Sequence, residues 1–163
     1  MRIVVLGSGS KGNSTFIDLG DKKILIDVGF SYKQIKEKLS LINVDPHEID
    51  ALLITHDHID HTYGLKVFLN KVKPTLFITP EVENFCLGTK YENSEYLTDE
   101  MIYYGTLIKP IPLSHDALTI NGYLIEKDNE IIYSKYENNS CDKKYTKLKL
   151  NAEWCGKYKD STL

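Results

Sequence analysis

Three histidines and two aspartates stand within seven residues directly after an apolar run, and no other stretch constrains the chain as much. The apolar run, residues 51–54, predicts a short buried strand. The stretch after it reads Thr55-His56-Asp57-His58-Ile59-Asp60-His61, and the apolar positions 65, 67 and 68 then suit a short helix. The histidines are therefore predicted at a strand-to-helix corner, where side chains from one tight loop can converge.

Imidazole and carboxylate groups in this arrangement suit zinc and other first-row divalent metals. The alternative is a solvated polar loop, since any one histidine is more often structural than a ligand. Three of the chain's five histidines in a single loop favour metal binding. His56 and His58 would share one face of an extended segment, while Asp60 and His61 would begin the next element and reach a second metal position.

The pattern His-x-His-x-Asp-His after an apolar strand resembles the signature of the metallo-β-lactamase-fold hydrolases. The opening MRIVVLGSGSKGNST, the segment ILIDVG at 24–29 and Gly64-Leu65 are similar to the YycJ/WalJ-like branch of phosphodiesterases and exonucleases. The resemblance covers about residues 1–133. It implies an α/β fold, the αββα sandwich of that family, with the first half complete and the second half partial.

The resemblance also implies a set of metal ligands. The family places its next ligand at a histidine after a strand, which His115 matches. His56, His58 and His115 would then form a three-histidine site with an open fourth position, as in catalytic zinc sites. Asp60 and His61 would hold a second ion, and Asp60 would orient or deprotonate the attacking water. The implied cofactor is zinc, as one or two ions, with manganese as an alternative.

The pattern breaks after Tyr133. The family would place a metal-bridging aspartate there, whereas this sequence continues Ser134-Lys135-Tyr136, and no histidine follows His115. We therefore predict a metallo-β-lactamase-like domain over residues 1–134 and a divergent polar segment over 135–163. The chain is expected to hold about one and a half of the two halves of the fold, as a truncated product would.

Composition sets broad limits. For 163 residues, 42% apolar and 26% charged, one globular domain is the natural expectation. A net charge of −3 gives no general attraction to nucleic acid or to an anionic membrane, although a metal can bind a phosphodiester locally. Three scattered cysteines without a Cys-x-x-Cys pair, and no apolar stretch long enough for a signal peptide or membrane span, make the cytoplasm the default.

Other segments give local predictions. Strands are expected at 3–6, as a central strand, and at 15–19, 22–28, 75–78 and 108–113, with a hairpin over 120–126 and 130–133. Helices are expected from the Ser31 cap to about Leu39 and over 65–72 and 80–87. The polar, tyrosine-rich segment 91–105 is either a loop over the site or a surface connection. His47 is predicted at the surface.

Two features before the histidine loop have alternative interpretations. The run of small residues at 7–14 is a phosphate cradle or a simple connection between strands, and the resemblance places it near the metal pocket. Asp27 interrupts an apolar strand and is either a strand-end residue or, by resemblance, a residue that steadies the histidine loop.

Three functional interpretations remain open from the sequence. The first is a metal-dependent hydrolase, most simply of phosphodiester bonds in nucleic acid or a cyclic nucleotide, where the choice of substrate rests on resemblance. The second is a non-catalytic metal-binding or interaction protein derived from such an enzyme. The third is a homo-oligomer in which a partner chain supplies missing ligands. No membrane partner is expected.

Overall fold

The computed structural model of the protein describes residues 1–113, 120–136, 143–149 and 156–157, with the backbone alone from 133 onward. The strands are β1 (Arg2–Gly7), β2 (Ser14–Asp18), β3 (Lys23–Ile26), β4 (Ala51–Leu53), β5 (Thr75–Ile78), β6 (Ser94–Tyr96), β7 (Met101–Tyr103), β8 (Thr106–Leu113), β9 (Ile120–Lys127), β10 (Glu130–Tyr136), β11 (Lys143–Lys149) and β12 (Gly156–Lys157). The helices are α1 (Tyr32–Ser40), α2 (Ile59–Thr62), α3 (Leu65–Val72) and α4 (Pro80–Leu87), with a 3-10 helix at Pro46–Glu48.

The described strands form two six-stranded sheets, each in chain order. In the first sheet, β1, β2 and β3 are antiparallel, and β3 to β6 are parallel. Parallel neighbours need crossover connections, and these carry α1, then α2 and α3, then α4. The second sheet, β7 to β12, is antiparallel throughout.

Side chains alternate across the first sheet, so that it contributes to two separate cores. One core lies against the helices and includes Leu25, Leu52 and Leu76 from the strands and Ile35 and Phe68 from α1 and α3. The other joins the two sheets; its buried members are Ile17, Leu19, Ile24, Ile26, Ala51, Leu53, Phe77, Leu97, Ile108, Tyr123, Ile125 and Ile132. The protein is therefore a helix layer on a mixed sheet, which packs on a second, antiparallel sheet.

Most local predictions are confirmed. Helices α3 and α4 and strand β5 have the predicted bounds, and Ser31 caps α1 through a reciprocal pair of hydrogen bonds with Gln34. His47 is exposed, as predicted. The layered α/β architecture also agrees with the expected fold class.

Two predictions differ from the structure. The strand at 3–6 was expected to be central, but β1 lies at the edge of its sheet, and Val5 is 41% exposed there. A run of apolar β-branched residues reports strand propensity and says little about the neighbours of the strand. The polar segment 91–105 contains the short strands β6 and β7. Each has three residues, which is too few for an alternating pattern to predict a strand.

Some expectations lie beyond what the structure tests. His115 falls outside the described residues. The division of the chain at residue 134 stays a prediction. In the part of the chain that is described, no helix is long and apolar enough to cross a membrane.

Candidate metal centre

The histidine loop lies at the carboxyl ends of two neighbouring parallel strands. Asp27 directly follows β3, and Thr55 follows β4 by two positions. In open α/β sheets this edge is where ligands bind, because the loops that leave parallel strands meet there. Sequence-distant residues are brought together at this edge: Asp27 and His61 are 34 positions apart.

Three histidine rings meet in the loop. His58 is the N-cap residue of α2, and its carbonyl accepts hydrogen bonds from His61 N and Thr62 N. The ring of His56 lies 4.7 Å from that of His58 and 4.0 Å from that of His61, measured between centroids. His56 and His61 are fully buried, while His58 and Asp60 are half-buried. The short helix α2 thus turns the loop back so that its imidazoles converge.

Asp27 anchors this loop from the neighbouring strand. Its side chain is fully buried, and its φ of 61° puts the backbone in the left-handed region at the end of β3. The carboxylate accepts hydrogen bonds from Thr55 N at 2.8 Å, from Thr55 Oγ1 at 2.9 and 3.0 Å, and from His61 Nδ1 at 2.8 Å. Both interpretations of Asp27 therefore hold: it ends a strand, and it steadies the histidine loop.

The hydrogen-bond network assigns the protons of two imidazoles. A carboxylate only accepts, so the Thr55 hydroxyl donates to Asp27 and can only accept from His56 Nδ1, which is 2.9 Å away. His61 Nδ1 likewise donates to Asp27. Both rings then carry their lone pair on Nε2, the form in which a neutral histidine binds a metal, with the remote nitrogen held by an outer partner.

This donor set fits a divalent metal in chemistry. Imidazole Nε2 atoms and the Asp60 carboxylate are the ligand types that zinc takes. Within the described ranges, however, no group of three His, Cys, Asp or Glu side chains has the geometry to hold an ion by itself. The structure brings His56, His58, Asp60 and His61 into one loop and leaves the expected third histidine, His115, outside the described residues.

The loop at 7–14 also reaches the site. It connects β1 to β2, and Asn13 from it contacts both Asp60 and His61. The expectation that this loop lies near the pocket is therefore confirmed. Sequence reasoning missed Asn13 and Thr55 as members of the site; the only signal was their position next to Gly12 and His56.

The second sheet supports the loop from the other side. Asn121 N, from β9, donates to Thr55 O at 3.0 Å, and Tyr123 Oη donates to Ile54 O at 2.6 Å. Tyr123 is almost completely buried. The strand-to-helix corner is thus held by both sheets, which fixes the backbone from which the histidines project.

A two-sheet α/β layer fold with a histidine-rich loop at the ends of parallel strands defines a class of metal-site proteins. The chain belongs to the metallo-beta-lactamase superfamily, whose sequence profile matches residues 7–130. Both the family and the layered fold were predicted from the sequence, and both are confirmed.

Curated relatives include two bacterial nucleases. The chain is 33% identical over 134 residues to the exodeoxyribonuclease WalJ of Streptococcus pneumoniae, and the alignment covers 77% of the chain and 50% of the relative. It is 25% identical over 131 residues to the exodeoxyribonuclease YycJ of Bacillus anthracis, with the same coverages. The chain therefore spans about half the length of these relatives.

Solved structures show the same fold. The metallo-beta-lactamase fold protein YhfI from Bacillus subtilis aligns with a TM-score of 0.61 at 18% identity, over 83% of this chain and 63% of that one. BJP-1, a subclass B3 metallo-beta-lactamase of Bradyrhizobium japonicum, aligns with a TM-score of 0.62 at 13% identity, over 91% and 61%. At such identities the likeness concerns the fold alone.

Proposed function

We propose that this chain is a metal-dependent hydrolase that cleaves phosphodiester bonds in nucleic acid. The observation that carries the proposal is the anchoring of two imidazoles of the loop: His56 Nδ1 lies 2.9 Å from Thr55 Oγ1, and His61 Nδ1 lies 2.8 Å from Asp27 Oδ2. Similarity to the exodeoxyribonucleases WalJ and YycJ supports nucleic acid as the substrate class.

We assign the ligands by the chemistry of the loop. His56 and His58, with His115, would hold one ion, and Asp60 and His61 would serve a second position. When bound, a divalent metal, zinc or manganese, supplies Lewis-acid chemistry that acidifies water and neutralises charge on phosphoryl oxygens. Asp60 is half-buried in the first turn of α2, so it can face both solvent and the site, and we assign it the role of orienting or deprotonating water.

The residues that orient the histidine rings are buried, which keeps the rings in fixed positions. Asp27, Thr55, His56 and His61 are all buried, so the hydrogen bonds that orient the rings are shielded from water. A half-buried His58 and Asp60 then form the accessible side, where a substrate would enter. A reducing compartment such as the cytoplasm belongs to the same proposal, because the three cysteines are scattered and form no Cys-x-x-Cys pair.

The experiment compares His58→Ala with His47→Ala. His58 caps α2 through its backbone carbonyl, which alanine keeps, so removal of the ring should leave α2 in place, and His47 is an exposed histidine away from the loop. Metal content after dialysis against zinc is measured by elemental analysis, and hydrolysis is followed on bis-p-nitrophenyl phosphate and on DNA. We expect His58→Ala to lose bound metal and hydrolysis, and His47→Ala to match the wild type. Unchanged hydrolysis in His58→Ala would contradict the proposal.

A second candidate is a non-catalytic metal-binding or interaction protein. It is favoured by the sequence after Tyr133, where no aspartate stands at the family's bridging position and no histidine follows His115. Chelation would then lower the free energy of unfolding without any turnover to lose. If instead a homo-oligomer completes the site, hydrolysis per chain should rise with protein concentration.

A further inference from the structure

Asn13 uses every polar group it has, although it comes from a loop of small residues. It is 1% exposed. Its backbone N donates to Asp60 O at 2.7 Å, and its backbone O accepts from Gly29 N at 2.9 Å. Its side-chain Oδ1 accepts from Gly9 N at 3.0 Å. The residue is therefore held on both sides and is positioned firmly against the first turn of α2.

The amide nitrogen of Asn13 lies among four acceptors. Nδ2 is 2.9 Å from Asp60 Oδ2, 3.1 Å from Gly9 O, 3.4 Å from Asp60 O and 3.1 Å from His61 Nε2. The orientation of the amide follows from its partners, because Gly9 N–H can only donate and must face the oxygen. Two hydrogens thus lie in a pocket of three oxygens and one imidazole nitrogen.

This surrounding is the kind that a cation prefers. His61 donates its Nδ1 proton to Asp27, so the lone pair that faces Asn13 is the one on Nε2. An imidazole nitrogen has a single lone pair in the ring plane, and it cannot bind a metal and accept from an amide at the same time. Asp60 Oδ2 lies 3.5 Å from His61 Nε2, so the Asn13 amide contacts a carboxylate oxygen and an imidazole nitrogen that are themselves close together.

We propose that the carboxamide of Asn13 takes the place of a second cation between Asp60 and His61. The partial positive charge of its N–H group holds the carboxylate and the imidazole together. In this chain, metal binding would then be confined to the position of His56 and His58 while Asn13 keeps these contacts. The inference rests on the proposed function and changes one part of it: the position assigned above to a second ion at Asp60 and His61 is filled by the Asn13 amide instead, while the ion at His56 and His58 is kept.

A direct test follows the ring nitrogens of histidine. Protein labelled with nitrogen-15 at histidine is freed of metal with a chelator and titrated with zinc, and the Nδ1 and Nε2 resonances are recorded. We expect the resonances of His56 and His58 to change and those of His61 and the exposed His47 to stay in place. A change at His61 Nε2 together with His56 and His58 would overturn the inference and leave the proposed function intact. No change at any histidine would overturn both.

The variant Asn13→Asp tests the same inference by unfolding temperature and ion content, with no need for the histidine resonances. It is close in shape but replaces the N–H donor by an oxygen acceptor, so a carboxylate would face Asp60 and the His61 lone pair. We expect the metal-free variant to unfold at a lower temperature than the wild type. Zinc should remove this difference, and the variant should bind one more ion per chain than the wild type. Asn129→Asp, in an exposed turn with a φ of 62°, is the matched control for the added charge.

The variant Asn13→Ala covers the case in which Asn13→Asp does not fold. It removes the amide and adds no ligand, so zinc should now change the resonance of His61 Nε2. Equal ion content and an equal effect of zinc on the unfolding temperature in Asn13→Asp and the wild type would overturn the inference, as would an unchanged His61 in Asn13→Ala.

Discussion

His61 Nδ1 donates a hydrogen bond of 2.8 Å to Asp27 Oδ2, and both side chains are fully buried. The bond joins the end of β3 to the last turn of the histidine loop, and Thr55 binds the same carboxylate. One buried acid thus sets the ring orientation of His61 directly, and that of His56 through the Thr55 hydroxyl. Outer partners of this kind contribute to metal affinity without touching the metal.

Asp27→Asn should weaken zinc binding about 10- to 100-fold and cost about 1–3 kcal/mol of unfolding free energy. Asparagine tolerates the left-handed backbone and keeps the shape of the side chain. It has only one acceptor oxygen, however, so it cannot accept the hydrogen bonds from both Thr55 and His61 as the two carboxylate oxygens do. Zinc competition with a chromophoric chelator and urea unfolding measure the two effects. Asp128→Asn, at an exposed turn with a φ of 51°, is the control and should change neither. Equal zinc affinity in the two variants would contradict the assignment.

Thr55→Val should destabilise the protein by about 1–3 kcal/mol, because it removes a hydroxyl that donates to Asp27 and accepts from His56. Valine keeps the branched shape, so the loss reports the hydrogen bonds. Thr55→Ser keeps the hydroxyl and loses one methyl group, which costs about 1 kcal/mol. Urea unfolding of the two variants measures the difference, and a valine variant as stable as the serine variant would show that the hydroxyl contributes little.

The local parts of the fold were predictable because their signals are local. Helix α4 begins at Pro80 after the Thr79 cap, and it is followed by Gly88 in the left-handed conformation. Each of these residues lies within one turn of the helix end that it marks, so the sequence alone indicates the bounds. The histidine loop was found by the same means, since its residues are adjacent in sequence. Periodicity and capping depend on neighbours a few positions apart, and they give bounds that agree with the structure.

The tertiary parts of the site could not be predicted in this way. Asn13 and Asp60 are 47 positions apart, and Tyr123 and Ile54 are 69 apart. No pattern within one element records that two such residues meet, because the strand order that brings them together is a property of the whole sheet. The edge position of β1 was missed for the same reason. Asp27 was noticed because a carboxylate inside an apolar strand needs partners, and the resemblance suggested that it steadies the histidine loop, but only the structure identifies Thr55 and His61 as those partners.

Gly29→Ala should prevent stable folding of the site. A Cβ atom at position 29 would lie 1.7 Å from Asp60 O and 2.5 Å from Asn13 N, both of them backbone atoms that cannot turn away. The strands and α2 would have to separate, and the contacts of Asn13 would be lost. Circular dichroism and urea unfolding measure the effect. Gly20→Ala is the comparison, since a Cβ there meets nothing within 4 Å and only the φ of 94° is unfavourable, at about 1 kcal/mol. Equal stability of the two variants would contradict the close approach.

Tyr123→Phe should cost about 1–3 kcal/mol of unfolding free energy, because it leaves the buried carbonyl of Ile54 without its donor. Burial, and then the charge of Asp27, raise the pKa of Tyr123, so the phenol stays protonated and keeps donating throughout the neutral range. A raised pKa in the folded state gives a contribution that is complete below the unfolded pKa of about 10 and is lost as the pH rises above it.

Urea unfolding at several pH values tests both parts of this prediction. Between pH 6 and 9 the stability difference between Tyr123→Phe and the wild type should be constant, and above about pH 10 it should shrink as the unfolded tyrosine ionises. Tyr104→Phe, at a tyrosine that is 64% exposed, should behave as the wild type at every pH. A difference that grows with pH would mean that the hydroxyl of Tyr123 ionises more readily in the folded protein, which its burial opposes.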